Sequence, residues 1–332
     1  MATKATTHPT LLDLANASDP DGKIAVITEI LNETNEVLDD MVVLEGNLPT
    51  GNKTTVRSGL PEPTWRKLYG GVQPTKANSV PVTDTTGMLE AYAEVDKELA
   101  DLNGNTAAFR LSEDRAHIEG ISQEIANTLF YGDEDLYPER FTGLGPRYND
   151  LSAENAKNII DAKGTGSDNA SIWLVVWGPN TCYGIVPKGS KAGLVHEDKG
   201  QVTIENVDGL NGRMEAYRSH YQQKLGLTVR DWRYVVRICN IDKSLLTTDV
   251  STGANLPELM FEASEIIPNL ASGRAAWYMS RTLRTKARQQ AANGTSSSTL
   301  AIENVGGKRL ITMHDIPMKR VDALAADEAR IV

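Results

Sequence analysis

Three short motifs come close to known chemical signatures, and each lacks a residue that the chemistry requires. The segment GIVPKGSK at 184–191 has the glycines of a phosphate-binding loop, but Ser190 precedes Lys191, whereas the loop needs lysine directly after its second glycine. The segment GTGSDN at 164–169 begins like a dinucleotide-binding fingerprint but has no third glycine, which favours a simple turn. His196 and Glu197 begin HEDKG, so the second histidine of a zinc-protease helix is missing.

Nucleophiles and metal ligands are equally scattered. Cys182 and Cys239 form no C-x-x-C pair and are too few for a disulfide framework, which predicts structural thiols in a reducing compartment. No G-x-S-x-G elbow is present for a nucleophilic serine. The acidic residues 133–135 could hold a hard cation, but a solvated turn explains them equally well. We therefore predict no catalytic residue, no cofactor and no metal, and a structural role instead of an enzymatic one.

Composition and charge indicate a soluble globular chain with an uneven charge distribution. Of its 332 residues, 40% are hydrophobic and 23% charged, and the net charge is -10. The longest apolar run, 172–177, is too short to span a bilayer, and the first residues have no secretory apolar region, so no membrane contact is expected. Residues 1–50 carry nine acids and two lysines, whereas the next 34 carry five cations and two acids. Segments of opposite sign can pair within the chain or between copies.

The segment 51–84 is the most unusual part of the chain. It holds four prolines, which argue against a helix or a central strand, so we expect a long connection with little regular structure. Its two large aromatic residues need a surface to pack on. We predict a projecting arm that packs on another molecule through the residues Lys53, Arg57, Trp65, Arg66, Lys67, Tyr69 and Lys76.

Hydrophobic periodicity predicts the elements that carry this arm. Apolar spacing favours a helix over 20–39 and a short strand at 41–44, and the segment 88–102 favours a strand that leads into a short helix near Asp96. A long helix is expected over 112–131, capped by Ser112 and ended by Gly132. The order of elements indicates an α+β fold. The later predictions are strands at 171–177, 184–187, 201–207, 232–238, 309–313 and 316–321, helices at 256–267 and 273–292, and a flexible loop at 293–299.

The predicted helix at 273–292 is basic and contains no acid. Such a helix could lie against phosphates, or it could meet the acidic N-terminal segment of a neighbouring copy. Within it, Trp277 and Met279 are expected to belong to the core. The cations are Arg274, Arg281, Arg284, Lys286 and Arg288.

Several segments resemble the major capsid proteins of short-tailed double-stranded DNA phages, which share the Hong Kong 97-type capsid fold. Together the segments span most of the chain after residue 50. They are RSGLPEPTWRKLYGGV (57–72), LADLNGNTAAFRLSED (99–114), FYGDEDLYPERFTGLGPRYND (130–150), SIWLVVWGPNTCYGIVPKGSKAGL (171–194), VRDWRYVVRICNID (229–242) and IPMKRVDALAADEARIV (316–332).

The resemblance implies four parts. They are an N-terminal arm at 1–45, an extended β-hairpin loop at 46–86 that reaches over a neighbour, a peripheral domain at 87–144 and 306–332 with a spine helix at 112–131, and an axial domain at 145–305. It also implies a subunit without catalytic activity that assembles with itself, as hexamers and pentamers, into an icosahedral shell around packaged double-stranded DNA. The shell would form in the host bacterial cytoplasm and become part of the virion.

The resemblance implies further partners and leaves alternatives open. A separate scaffolding protein is expected because Met1 lies only about 45 residues before the extended loop, where a scaffolding segment would be far longer. A portal protein and a decoration protein are further expected partners. Isopeptide cross-linking through a loop lysine is not favoured, because lysines in a solvated arm need no special explanation. The alternative functions are the shell of an encapsulin-like protein compartment and a soluble homo-oligomeric enzyme.

Overall fold

The computed structural model describes residues 33, 35–102, 105–205, 212–248, 250, 252–293, 300–305, 308–324 and 327–332. The helices are α1 (Val37–Asp40), α2 (Lys97–Asp101), α3 (Thr106–Tyr131), α4 (Leu144–Arg147), α5 (Leu256–Ile266) and α6 (Arg281–Asn293). The first strands are β1 (Val43–Glu45), β2 (Gly51–Gly59), β3 (Asn78–Asp96), β4 (Ile159–Asp161), β5 (Asn169–Trp177), β6 (Cys182–Val186) and β7 (Val195–Glu205). The remaining strands are β8 (Arg213–Val229), β9 (Val235–Asp242), β10 (Arg274–Met279), β11 (Leu300–Val305), β12 (Lys308–Met313) and β13 (Ile316–Arg320).

The chain divides into two compact units. Unit 1 comprises Met1–Asn35, Met88–Ala126 and Gly193–Lys224, and unit 2 comprises Glu36–Gly87, Asn127–Ala192 and Leu225–Val332. Strands β3 and β8 and helix α3 contain residues of both units.

The core of unit 2 is a mixed sheet centred on β5. This strand pairs antiparallel with β10 and with β9, and it is linked to β6 through Trp177 and Cys182. Every residue of β5, β6 and β9 is buried, which explains why the sequence shows continuous apolar runs here instead of an alternating pattern. Helices α5 and α6 contribute Met260 and Leu283 to the same apolar cluster.

Unit 1 is built around a long hairpin of β7 and β8. These strands pair antiparallel from Val195↔Gln222 to Glu205↔Arg213. Its small apolar core joins Val95 and Leu99 to Phe109, and ion pairs such as Arg110–Asp198, at 2.7 Å, lie at its surface. Exposed pairs of this kind contribute little stability individually.

The long helix was predicted correctly at its end but not at its start. Helix α3 ends at Tyr131 and is followed by Gly132, where a side chain would overlap the carbonyl oxygens of Thr128 and Phe141. It begins at Thr106, six residues earlier than predicted, so the assignment of Ser112 as its cap is wrong. The Asn105 side chain accepts a hydrogen bond from the Ala108 backbone N–H at 3.4 Å and caps the helix instead.

Several other predicted elements are present, some with shifted bounds. The predicted strand-to-helix transition at Asp96 is confirmed, because its carboxylate accepts the Glu98 N–H at 2.8 Å where α2 begins. The strand expected at 41–44 is β1, and the two strands expected after residue 308 are β12 and β13. Of the helix predicted over 20–39, residues 33 and 35–39 are described, and only 37–39 are helical, as the start of α1. The loop predicted at 293–299 lies outside the described residues from residue 294 onward.

The helix predicted over 273–292 is wrong in its first half. Arg274–Met279 forms β10, which lies between β5 and β13 with Trp277, Tyr278 and Met279 fully buried. Trp277 and Met279 pack in the apolar cluster on one face, and Tyr278 donates to the buried Asp40 carboxylate on the other, so both faces are covered and the alternating pattern that would identify a strand is lost. Helix α6 then starts at Arg281. The predictions also missed β8. The strand predicted at 232–238 corresponds to β9 but starts too early, because Trp232–Tyr234 forms a short 3₁₀ helix.

A buried polar network holds the C-terminal tail against the core of unit 2. Arg237 of β9 forms an ion pair with Glu328 at 2.7 Å, and both side chains are buried. The same guanidinium donates to the Tyr148 carbonyl oxygen at 2.9 Å, and the Tyr131 hydroxyl donates to the other Glu328 oxygen at 2.6 Å. The Ser171 hydroxyl also donates to Glu328. Since every charged atom of this pair has partners, the pair specifies how the tail, α3 and the sheet meet.

Replacing Glu328 with alanine should destabilise the unassembled subunit by about 3–5 kcal/mol, because Arg237 would remain buried without its counter-charge. The adjacent variant Asp327→Ala is a matched control, since this carboxylate is exposed and lies 3.9 Å from Lys243. Urea unfolding of both variants measures the difference. Equal midpoints for Glu328→Ala and Asp327→Ala would contradict the assigned role of the network.

Both cysteines are buried free thiols, as predicted. Burial raises the pKa of Cys239 to about 11 and raises the pKa of Cys182 further. A raised thiol pKa leaves little reactive thiolate at pH 8. Both residues lie on fully buried strands, which also blocks access of a reagent.

We expect Ellman's reagent to react slowly with the folded subunit at about pH 8 and with both thiols after denaturation in guanidinium chloride. The measurement is the number of thiols released per chain over time in each condition. Rapid stoichiometric reaction of the folded subunit would show that the two strands open far more readily than their burial implies.

Candidate assembly interface

The segment predicted to be an unstructured arm is a β-hairpin with an irregular tip. Strand β2 pairs antiparallel with the first part of β3, from Gly51↔Thr85 to Arg57↔Ser79, with an irregularity before Gly59↔Asn78. The expectation of little regular structure is therefore wrong for both strands. The expectation treated every proline as a strand breaker, but Pro81 lies within β3, opposite Thr55. A proline is tolerated in a two-stranded ribbon when its nitrogen faces away from the partner strand.

The tip, residues 60–77, contains no strand and no helix. Its one turn is closed by the Gly70 N–H, which donates to the Lys67 carbonyl oxygen at 3.0 Å. Tyr69 lies in this turn with a φ of 61°, a left-handed conformation that is unfavourable for an aromatic residue. The turn therefore holds the Tyr69 side chain in a direction that an extended chain would not give it.

The large side chains of the tip are exposed to an unusual degree. Relative exposure is 102% for Trp65, 104% for Tyr69 and 86% for Leu68. Leu60 and Val72, in the same segment, are also exposed. Large apolar groups left in water across one contiguous segment are typical of a binding surface.

The base of the hairpin is anchored in unit 2 by buried polar contacts. Asp84 is buried and forms an ion pair with Arg147 at 2.8 Å. The same guanidinium donates to the carbonyl oxygens of Thr142 and Leu227, at 3.3 and 3.2 Å. On the opposite strand the Asn52 amide donates to the Tyr183 hydroxyl at 2.9 Å, and burial raises the pKa of Tyr183. Both strands are thus fixed where they leave the body of unit 2.

Close backbone packing adds to this anchoring. A side chain at Gly51, which pairs with Thr85, would overlap the Asp84 carbonyl oxygen, so only glycine fits at this position. Before the strand, Asn47 pairs with the backbone of Lys53 through its side-chain amide, at 2.7 and 2.8 Å. These bonds set the direction in which β2 leaves the body.

All seven residues predicted to form the contact lie on this hairpin and are exposed. Lys53 and Arg57 are on β2, and the other five are in the tip: Trp65, Arg66, Lys67, Tyr69 and Lys76. Their side chains form no ion pair and accept or donate no hydrogen bond among the described residues. The sequence analysis missed Leu60, Leu68 and Val72, because isolated apolar residues among prolines and cations show no periodicity.

The cations of the predicted basic helix are partly neutralised within the chain. Arg274 lies in β10 and contacts the buried carboxylate of Asp40 at 3.2 Å, and Lys319 contacts the same carboxylate at 2.6 Å. Arg281 pairs with Asp322 at 2.7 Å. The acidic partner of Arg274 is therefore the N-terminal segment of its own chain.

Two of the motifs that resembled catalytic signatures take part in hydrogen bonds that join segments of unit 2. In GIVPKGSK the Gly189 N–H donates to the Glu45 carboxylate at 2.7 Å, and a strand follows instead of a helix. In GTGSDN the Gly166 N–H donates to Asp242 at 3.1 Å, in the bend that precedes β5. Within the part of the chain that the structure describes, no group of three potential ligands could hold a metal ion. Among the same residues no helix is long and apolar enough to cross a membrane.

Comparison with known proteins gives concordant results. The sequence profile of the family Major capsid protein GP7 matches residues 19–332. The chain is similar to a chain in a cryo-EM structure of bacteriophage Epsilon15, with 40% identity, 99% of both chains covered and a TM-score of 0.78. A chain of the bacteriophage JBD30 capsid has 10% identity, a TM-score of 0.48 and coverage of 90% of this chain and 99% of that one. No curated protein matches the sequence.

An encapsulin is only a distant structural neighbour of this chain. A chain of the holo-SrpI encapsulin complex from Synechococcus elongatus has 9% identity, a TM-score of 0.44 and coverage of 66% of this chain and 92% of that one. The family profile and the Epsilon15 similarity favour the phage capsid over the compartment shell and the soluble enzyme. Because the profile covers residues 19–332 and the similarity to the Epsilon15 chain extends over 99% of the sequence, this chain belongs to the GP7 family of major capsid proteins, has the Hong Kong 97-type fold and builds an icosahedral phage shell from copies of itself.

Proposed function

We propose that the β2–β3 hairpin is the element that joins one capsid subunit to its neighbour. Its residues are Lys53, Arg57, Trp65, Arg66, Lys67, Tyr69 and Lys76, which supply two aromatic anchors and five orienting cations. The observation that carries the proposal is the complete exposure of Trp65 and Tyr69 on a ribbon whose base is rigidly anchored. Buried aromatic residues dominate the energetics of protein interfaces, so these two side chains have the most to gain from a neighbour.

The other parts of the subunit are assigned in the same way. Residues 1–45 form an N-terminal arm, 46–86 the extended loop, 87–144 and 306–332 a peripheral domain, and 145–305 an axial domain. The described end of the N-terminal arm supports this division, because Asp40 binds Tyr278 and Lys319 and fixes the arm where it leaves the body. The subunits form hexamers and pentamers, which close the icosahedral shell.

The shell encloses double-stranded DNA and assembles with other phage proteins. A separate scaffolding protein guides assembly in the host bacterial cytoplasm, a portal occupies one vertex, and a decoration protein is a further partner. Contact with the DNA is non-specific, since the chain carries a net charge of -10 and its basic residues on α6 and β10 are partly neutralised internally. The subunit has no catalytic activity and needs no cofactor.

Trp65→Ala tests the anchor assignment. The variant should fold with unchanged stability, because its side chain makes no packing contact within the subunit. It should raise the protein concentration needed for assembly at least about tenfold, because each contact in the shell would lose an aromatic anchor. Light scattering and negative-stain microscopy of assembly mixtures measure this.

The matched control is Leu245→Ala, which removes a partly exposed apolar side chain elsewhere on unit 2. It should leave the assembly concentration unchanged. Robust particles at wild-type concentrations from Trp65→Ala would refute the role of this residue as an anchor.

Asp84→Ala tests the anchoring of the hairpin base. Loss of the carboxylate leaves Arg147 without its counter-charge, so hydrogen exchange should accelerate in 51–57 and 78–84 in the unassembled subunit. Thr83→Ala, at the adjacent exposed position, is the control. Exchange and assembly that match those of Thr83→Ala would show that the ion pair does not hold the hairpin.

A further inference from the structure

The loop that follows the long helix presents a second exposed apolar surface. Define the acceptor loop as residues 133–140, with the sequence DEDLYPER. Its Leu136 is 71% exposed and its Tyr137 is 51% exposed. Acidic residues lie on both sides of this apolar pair: Asp133, Glu134, Asp135 and Glu139.

The acceptor loop is preorganised for binding. The Gly143 N–H donates to the Gly132 carbonyl oxygen at 2.8 Å and closes the loop at its ends. Inside it, the Tyr137 N–H donates to the Asp133 carbonyl oxygen at 2.9 Å, and the Arg140 guanidinium lies 5.0 Å from the Tyr137 ring centre. A surface held by such bonds loses little conformational entropy when a partner covers it.

Charge and exposed apolar side chains make the hairpin tip and the acceptor loop complementary. The tip offers apolar side chains and three cations, Arg66, Lys67 and Lys76, against one acid, Glu62. The acceptor loop offers four acids, of which Glu134 already accepts a hydrogen bond, against one cation, Arg140. Opposite potentials across an interface favour the correct partner and fix its register.

The two surfaces lie at opposite ends of the same hairpin within unit 2. The Thr85 hydroxyl donates to the Glu134 carboxylate at 2.6 Å, so the acceptor loop borders the hairpin base. The nine residues of β2, at about 3.3 Å each, place the tip roughly 30 Å away from that base. The tip therefore cannot reach the acceptor loop of its own chain, but it can reach that of a second copy.

We propose that the tip of each subunit docks on the acceptor loop of the next subunit, head to tail around the ring. Trp65, Leu68 and Tyr69 cover Leu136 and Tyr137, and the tip cations face the loop acids. Such a contact is heterologous, because each copy binds one neighbour through its hairpin tip and binds the tip of another neighbour through its acceptor loop. The inference depends on the proposed role of the hairpin and identifies the surface to which it binds.

Disulfide trapping tests the contact in assembled particles. Leu68→Cys combined with Leu136→Cys should give a ladder of cross-linked chains on non-reducing gels after mild oxidation, ending at the ring size. A ladder distinguishes this contact from a reciprocal two-fold contact, which would stop at dimers. The native thiols are buried, so the introduced pair reports alone.

The matched controls are the two single variants and the pair Leu68→Cys with Leu245→Cys, which should all remain monomeric under the same oxidation. Normal particles from the Leu68→Cys/Leu136→Cys variant that stay monomeric on the gel, or that give only dimers, would overturn the proposal. That result would leave the proposed role of the hairpin intact, which Trp65→Ala tests separately.

Charge exchange provides a second test of the contact, which does not depend on the geometry of a disulfide. Lys67→Glu with Arg66→Glu should lower particle yield at least about tenfold, because like charges would meet at the acceptor loop. Adding Asp133→Lys and Asp135→Lys should restore most of the yield. Equal yields with and without the second pair of changes would show that the tip binds elsewhere.

Discussion

A ribbon of two strands can hold its direction only if its base is fixed, and this constraint governs the hairpin of the present subunit. Asp84 is buried against Arg147, whose remaining donors reach two backbone carbonyl oxygens. Across the ribbon, Asn52 binds the Tyr183 hydroxyl, and Gly51 allows the two strands to approach closely. These contacts replace water at the base of the ribbon, while the tip keeps its apolar residues in water.

Buried polar contacts also fix two other segments of the chain. Arg237 and Glu328 bind the C-terminal tail to the central sheet through buried, fully partnered charges. Asp40 fixes the end of the N-terminal segment through Tyr278 and Lys319. Buried polar networks of this kind specify one arrangement of the segments that they join, because any other arrangement leaves a charge unpaired. A shell of many identical subunits depends on such uniformity.

The sequence identifies elements whose signals are local, and fails where tertiary partners decide. The apolar run in β5, the end of α3 at Gly132 and the start of α2 at Asp96 were predicted because each depends on neighbouring residues. Strand β10 was assigned to a helix, since coverage of both its faces hides the alternating pattern. The Arg237–Glu328 pair joins residues 91 positions apart, and no local pattern points to it. Within the tip, Trp65 and Tyr69 were identified from residue type alone, whereas the exposure of Leu68 became evident only from the structure.

The most direct test of the account is a cryo-EM reconstruction of the assembled particle at side-chain resolution. We expect the side chains of Trp65 and Tyr69 to be buried against an adjoining subunit, with the hairpin base unchanged from the isolated chain. A reconstruction in which the tip remains in solvent, or folds back on the body of its own subunit, would contradict the central claim.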